Sequence, residues 1–283
     1  MFTKLFRLSS LTGLMLALVW AGCSIDAPVS PDTASDTGKL SAGTDDDQGM
    51  EVQPVFRRNM GNGRFLTVFV DHAHPERHNA RPGPAPSCSD PNTNQAYLEL
   101  GVEWANLGLA LEYHTYGQPR GLATADVRDA LAASVAAWEN ASGSDLANLN
   151  NNNGNRGPVA DGVNVVGWRK LIPQTVLAAT WIWDDGNGNI IEADVFYNTS
   201  QKWSVNGAIN PGSTACGENF DVQAIGTHEF GHFFGLGHVS SDGNGGNGNE
   251  NDATMAPTAA KAELQKQTLT PGDDAGINAV KAG

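Results

Sequence analysis

Apolar residues recur along this chain with two periods, and each period predicts a different kind of element. Leu107, Leu109, Leu111 and Tyr113 stand at every second position, as on a half-buried strand. Val127, Leu131, Val135 and Trp138 then recur at helical spacing, which predicts a long helix over 126–138 facing a sheet, with Thr124 able to cap it. The segment NLNNNNGNRG (148–157) reads as turn, and apolar runs at 163–168 and 176–183 read as further strands. Upstream, RFLTVFV (64–70) predicts one strand of a pro-segment or N-terminal extension. The pattern as a whole is that of a mixed α/β (α+β) domain.

One polar constellation interrupts the apolar periodicity. Residues 228–238 read HEFGHFFGLGH. On a helix His228 and His232 project from one face a turn apart and can grip one tetrahedral ion. Glu229 lies about 100° further round, better placed to take a proton from water at the metal than to bind the metal itself. Gly235 can adopt the left-handed conformation that ends a helix, bringing His238 back as third ligand. HExxH alone is expected by chance in roughly one such chain in a hundred, and the full pattern in about one in ten thousand or fewer. Asp221 is placed to cap this helix, with Val222, Ile225 and Phe233 packing it into the core.

The pattern HExxHxxGxxH, followed by Ala253-Thr254-Met255-Ala256-Pro257, resembles the metzincin peptidases, and the Ala-Pro after Met255 resembles the matrixin branch. The likeness covers about residues 97–283. Phe196 and Trp203 match an aromatic pair, residues 177–180 resemble the family's edge strand, and the C-terminal segment from Leu269 resembles its closing helix, with Thr270 as cap and Asp273 and Asp274 in the first turn. The resemblance implies a zincin fold: a twisted mixed sheet of about five strands, an active-site helix and a C-terminal helix. It also implies a zinc endopeptidase in which Glu229 is the general base, Met255 supports the site from below, and residues 256–258 line the pocket beyond the cut bond. The edge strand would pair with extended substrate. Val239 stands where Ser is usual, and Ala179 stands where animal matrixins place a structural-zinc histidine, so one zinc is expected.

The remaining chemistry is more open. Asp184, Asp185, Asn187 and Asn189, with Glu192 and Asp194 nearby, offer clustered oxygen ligands of the kind calcium takes; the alternative is a solvated hairpin turn. Residues 241–252 are also acidic and glycine rich, and are expected to be a plain loop. His72, His74 and His78 could bind metal or simply face solvent. Cys88 and Cys216 in an exported protein most often pair. The segment around Cys88, PSCSDPN, also resembles the matrixin cysteine switch, with Trp104 and Tyr113 at nearly family-like distances, although Ser87 and Ser89 replace the switch arginine and glycine.

Composition and charge narrow the setting. The chain has 283 residues, 40% of them hydrophobic, enough for a substantial core. Its formal net charge of -14 argues against a nucleic-acid partner. Lys4 and Arg7 precede an apolar run at 11–20, and Ala21-Gly22-Cys23 resembles a bacterial lipobox, with lipidation at Cys23. The expected organisation is a signal (1–23), a flexible tether (24–53), an extension or pro-segment (54–96) and a catalytic domain (97–283). The product would be a cell-surface or outer-membrane lipoprotein, otherwise a secreted protein, meeting the membrane only through its lipid and acting on protein or peptide substrate. The competing reading is a non-catalytic, zinc-containing surface lipoprotein that binds peptides. Glu229 counts against it, because holding zinc needs the histidines but not that carboxylate.

Overall fold

The computed structural model describes residues 56–73, 94–206, 219–239 and 253–281. Cys23, Cys88, Cys216, His74, His78, the export signal, the tether and the 241–252 loop lie outside the described residues. In chain order, β1 (Phe56–Gly61) and β2 (Arg64–Ala73) form a hairpin, followed by β3 (Glu103–Trp104), β4 (Leu109–His114) and the helix α1 (Thr124–Ser142). Next come β5 (Ala147–Asn152), β6 (Asn164–Arg169), β7 (Val176–Asp184) and β8 (Asn189–Asn198). Short strands β9 (Trp203–Ser204) and β10 (Phe220–Asp221) lead into α2 (Val222–Phe233), and β11 (Thr258–Ala259) precedes α3 (Pro271–Lys281).

The main sheet runs β1-β2-β7-β8-β6-β4-β5, with β11 beside β2 and β3 beside β8. Pairing is parallel from β8 through β6 and β4 to β5, and antiparallel from β8 through β7 and β2 to β1. This is the mixed α/β class expected, with a central helix and a C-terminal helix, on a sheet wider than five strands. Val127, Leu131, Val135 and Trp138 are all buried, and α1 packs against α2. Leu111 and Tyr113 are fully buried, while Leu107 stays exposed outside β4.

Three local expectations change. Thr124 is the first helical residue of α1 rather than its cap, and Ala123 at the cap position makes no side-chain capping bond. The asparagine run contributes β5, because the free edge of β4 offers a continuous parallel register from Leu109↔Ala147 to His114↔Asn152. An outermost strand needs few apolar side chains, so backbone pairing overrides asparagine's preference for turns. Residues 177–180 do not form an edge. β2 pairs with β7 from Phe65↔Asp184 to His72↔Val176, and Val68, Val70, Val176 and Ala179 share a small apolar cluster.

At the C-terminus, the Thr270 hydroxyl accepts from Asp273 N at 3.0 Å and the Asp273 carboxylate accepts from Thr270 N at 2.8 Å, a reciprocal cap as the sequence suggested. Phe196 and Trp203 are both buried but do not stack on each other. Phe196 meets Trp181, and Trp203 meets Trp168 and Tyr197.

Candidate metal centre

Every residue of α2 except Gln223 is buried, so this helix is held from all sides. Asp221 caps it, accepting from Ala224 N at 2.8 Å. Trp138 Nε1 donates to Thr227 O at 2.8 Å, Tyr197 Oη to Val222 O at 3.0 Å and Trp104 Nε1 to Phe233 O at 2.7 Å, which tie the helix to α1, β8 and β3. Beyond the last turn, Gly235 takes φ of 105°. A Cβ there would lie 2.8 Å from Val102 O as well as straining the backbone, so glycine is required twice over.

That turn returns His238 to the face of α2 bearing His228 and His232. The three Nε2 atoms lie 3.0, 3.1 and 3.2 Å apart. Tetrahedral zinc with bonds of about 2.0–2.1 Å would separate its nitrogens by about 3.3 Å. His228 Nδ1 lies 2.7 Å from Thr254 O, and His232 Nδ1 2.7 Å from Leu236 O. A carbonyl only accepts, so both Nδ1 atoms carry the proton and both Nε2 atoms present bare lone pairs. Burial holds His228 well below the ordinary histidine range and brings His232 down to about 3, with the Lys266 charge adding to the effect on both. Rings whose lone pairs converge on one point suit a cation. The residues therefore fit a zinc ion, and the three histidines could hold it.

Glu229 stands beside this triad and is wholly buried. Its Oε2 accepts from Thr180 Oγ1 at 2.5 Å, and its Oε1 has no hydrogen-bond partner. Burial first, and the neighbouring Asp71 carboxylate second, push its pKa well above the usual carboxylate range. Met255 packs beneath α2: a Cβ on Gly231 would collide with Met255 Sδ and come within 2.8 Å of Trp138. Val239 N donates to Met255 O at 3.0 Å and its side chain joins the core, which accounts for an apolar residue after the third histidine.

Sequence reasoning missed three residues at this centre. Phe69 on β2 stacks on His232 at 4.3 Å and meets His238 edge-on at 5.7 Å. Asp71, also on β2, is fully buried beside His228 and Glu229. Lys266 is fully buried and donates to Ala256 O at 2.6 Å. The alternation of Phe65, Thr67, Phe69 and Asp71 could have flagged an acid on the inward face of a strand. His72, by contrast, belongs to neither group of metal-competent side chains among the described residues.

The calcium set does not converge. Among the described residues no three of its carboxylates approach a common point. Asp185 accepts from Asn187 N, Asn189 N and Asn189 Nδ2 at 2.8, 3.1 and 2.8 Å, closing its own turn. Asp184 accepts from Gly186 N at 2.9 Å and pairs with Arg57 at 3.1 Å. Glu192 accepts from Asp161 N and Gly162 N, and Asp194 from Val159 N and Val165 N. Backbone amides, the Asn189 side chain and Arg57 take up these carboxylates, so the hairpin reading replaces the calcium one.

No curated protein matches this chain. The sequence pattern of the Matrixin peptidase family does match, over residues 168–281, a span that begins on β6 and takes in the whole of α2, the three histidines, Met255 and α3. The matched stretch, residues 168–281, is therefore similar to the matrixin-like metzincins, which supports a zinc metallopeptidase in general.

Proposed function

We propose that the protein is an exported zinc endopeptidase that cuts extracellular proteins, held at a cell surface through lipid on Cys23. His228, His232 and His238 hold a single zinc ion through Nε2. When bound, zinc polarises a peptide carbonyl and makes nearby water acidic enough to attack it. Glu229 accepts the attacking water's proton at Oε1 and returns it to the departing amine. Thr180 fixes the other oxygen of that carboxylate, and Met255 and Gly231 keep the helix turn between the two ligands in register. The observation that carries this reading is the convergence of the three Nε2 atoms within 3.2 Å, with an unpartnered carboxylate oxygen beside them.

The test is cleavage of an unfolded protein by the zinc-loaded chain, intact and after limited proteolysis by a serine protease that is then inhibited. Chelated protein and Glu229→Ala run alongside, with zinc content measured. Chelation should abolish cleavage, and Glu229→Ala should lower it about 10²–10⁴-fold while retaining zinc. A zinc-loaded wild type that cuts nothing in either form would overturn the reading in favour of a peptide-binding surface protein.

A further inference from the structure

Lys266 is a charged side chain with no access to solvent. Its ammonium carries three hydrogens, and among the described residues it donates to one acceptor, Ala256 O at 2.6 Å. Burying a cation is costly unless its charge and its donors are answered. The groups that feel its charge place it: His228, Glu229 and His232 on α2, and Asp71 on β2. Lys266 therefore stands behind the metal centre, tied to the segment after Met255, with donor capacity left over.

β2 shows what a peptide backbone meets on this side of the centre. It lies antiparallel along β7 and parallel beside β11, and His72 N donates to Pro257 O at 3.1 Å and Ala73 N to Thr175 O at 2.7 Å. Such main-chain bonds are those by which an extended peptide adds to a strand. Alternate residues of β2 share a face. On the face turned to α2, Phe69 lies on His232 at 4.3 Å, and an oxygen of Asp71 lies within 4.8 Å of a ring nitrogen of His228 and an oxygen of Glu229. Residues 69 and 71 thus straddle the triad, and the peptide bond between residues 70 and 71 passes it. The side chain at 71 is the first beyond that bond, and it is wholly buried. At this position the Lys266 charge outweighs that of Glu263, whose Oε2 accepts from Ala260 N at 2.7 Å. Neither Asp71 oxygen has a hydrogen-bond partner, so an aspartate on this backbone stops short of the ammonium. A glutamate, one methylene longer, has the length to come closer.

We propose that Lys266 sets the residue preference of the peptidase: the pocket for the side chain just after the cut bond takes an acidic residue, glutamate ahead of aspartate, with the Lys266 ammonium as its charge partner. This rests on the metallopeptidase reading above. The bond to Ala256 O fixes the ammonium beside the pocket, and its remaining N–H groups are answered by an incoming carboxylate. A neutral amide of the same shape leaves the buried charge unanswered and is disfavoured. Two acids, Glu229 and Glu263, also face position 71. Without the lysine they would exclude an acidic residue, so removing Lys266 should reverse the preference and not merely abolish it.

The test measures kcat/KM of the zinc-loaded full chain, intact or after the limited proteolysis described above, on peptides identical except for Glu, Asp, Gln or Leu after the cut bond. Wild type should favour Glu over Gln at least about tenfold, Lys266→Met should reverse that order, and Lys266→Arg should keep it. Equal rates on Glu and Gln by wild type, or an unchanged acid preference in Lys266→Met, would overturn the proposal. The wild-type comparison decides even where a variant does not fold. A double-mutant cycle reads the same pairing without catalysis, from urea midpoints at pH 8 of wild type, Asp71→Asn, Lys266→Met and the double variant. Asp71→Asn should be less destabilising in the Lys266→Met background, and additive effects would overturn the proposal. If the cycle shows coupling but no zinc-loaded form cuts any peptide, the acid-binding pocket stands and the peptidase reading fails. If peptides are cut without preference for an acid, the peptidase reading stands and the role of Lys266 fails.

Discussion

In the hairpin turn between β7 and β8, Asp185 collects three hydrogen bonds from its own turn, whereas Asp71, on the strand alongside β7, collects none. Both regions are rich in metal-binding residue types. At the hairpin the fold answers its own acids: the Asn187 and Asn189 donors hold Asp185 down to about 2. Beside the histidine triad the fold leaves both Asp71 oxygens without a hydrogen bond, and burial pushes Asp71 up to about 7. A metal site is thus distinguished less by which donors cluster in sequence than by which are left without protein partners once the chain is folded.

The sharpest way to break that contrast is to remove one donor from each side. His232→Ala should weaken zinc binding at least about 100-fold and take peptidase activity to background. Asp185→Ala should leave zinc stoichiometry unchanged, as read by metal analysis after dialysis against a zinc buffer. Loss of zinc from Asp185→Ala would mean that the hairpin belongs to the metal centre after all. Next in size is Gly231→Ala, which forces a methyl group into Met255 and Trp138. It should destabilise the fold by about 1–3 kcal/mol, lowering the denaturation midpoint; an unshifted midpoint would show that Met255 is not packed there.

A smaller effect is expected at Thr180. Thr180→Val removes the hydroxyl that donates to Glu229 Oε2 and should lower kcat of the active form about tenfold with KM little changed. Thr180→Ser should restore it. Equal loss in Val and Ser variants would reduce Thr180 to a packing role.

Legibility followed the same divide. The triad could be read in advance because His228, His232, Gly235 and His238 sit within eleven residues, and local helix and turn geometry nearly determines where they point. The caps at Asp221 and Thr270 were legible for the same reason. Asp71 was not, since its neighbour His228 is far along the chain and only the pairing of β2 with β7 brings them together. The same pairing turned the expected edge strand into an interior one, and the free edge of β4 turned an asparagine-rich turn into β5. Long-range backbone pairing leaves little trace in local composition, whereas a helix carries its chemistry on its own spacing. The six-residue oxygen cluster misled because spacing supplies donors without saying which amides will claim them.

The smallest effect separates the two regions by pH. Asp194, beside the hairpin, is raised to about 8, chiefly by burial, while the Val159 and Val165 amides oppose the shift and the Glu192 and Asp161 charges add to it. Its folded value lies above the unfolded one near 4, so the fold favours the protonated acid. The stabilisation is complete below about pH 4 and is lost as pH rises towards 8. Asp194→Asn should remove that dependence. Urea midpoints at pH 4, 6 and 8 should shift progressively in favour of the variant relative to wild type, whatever constant offset the lost hydrogen bond introduces. A pH-independent difference would mean that the two amides suffice to keep Asp194 ionised throughout. Because Asp194 pairs with β6 and its preceding loop and not with the triad, zinc content should be the same in both proteins at every pH. A coupled change in zinc would merge the two regions into one.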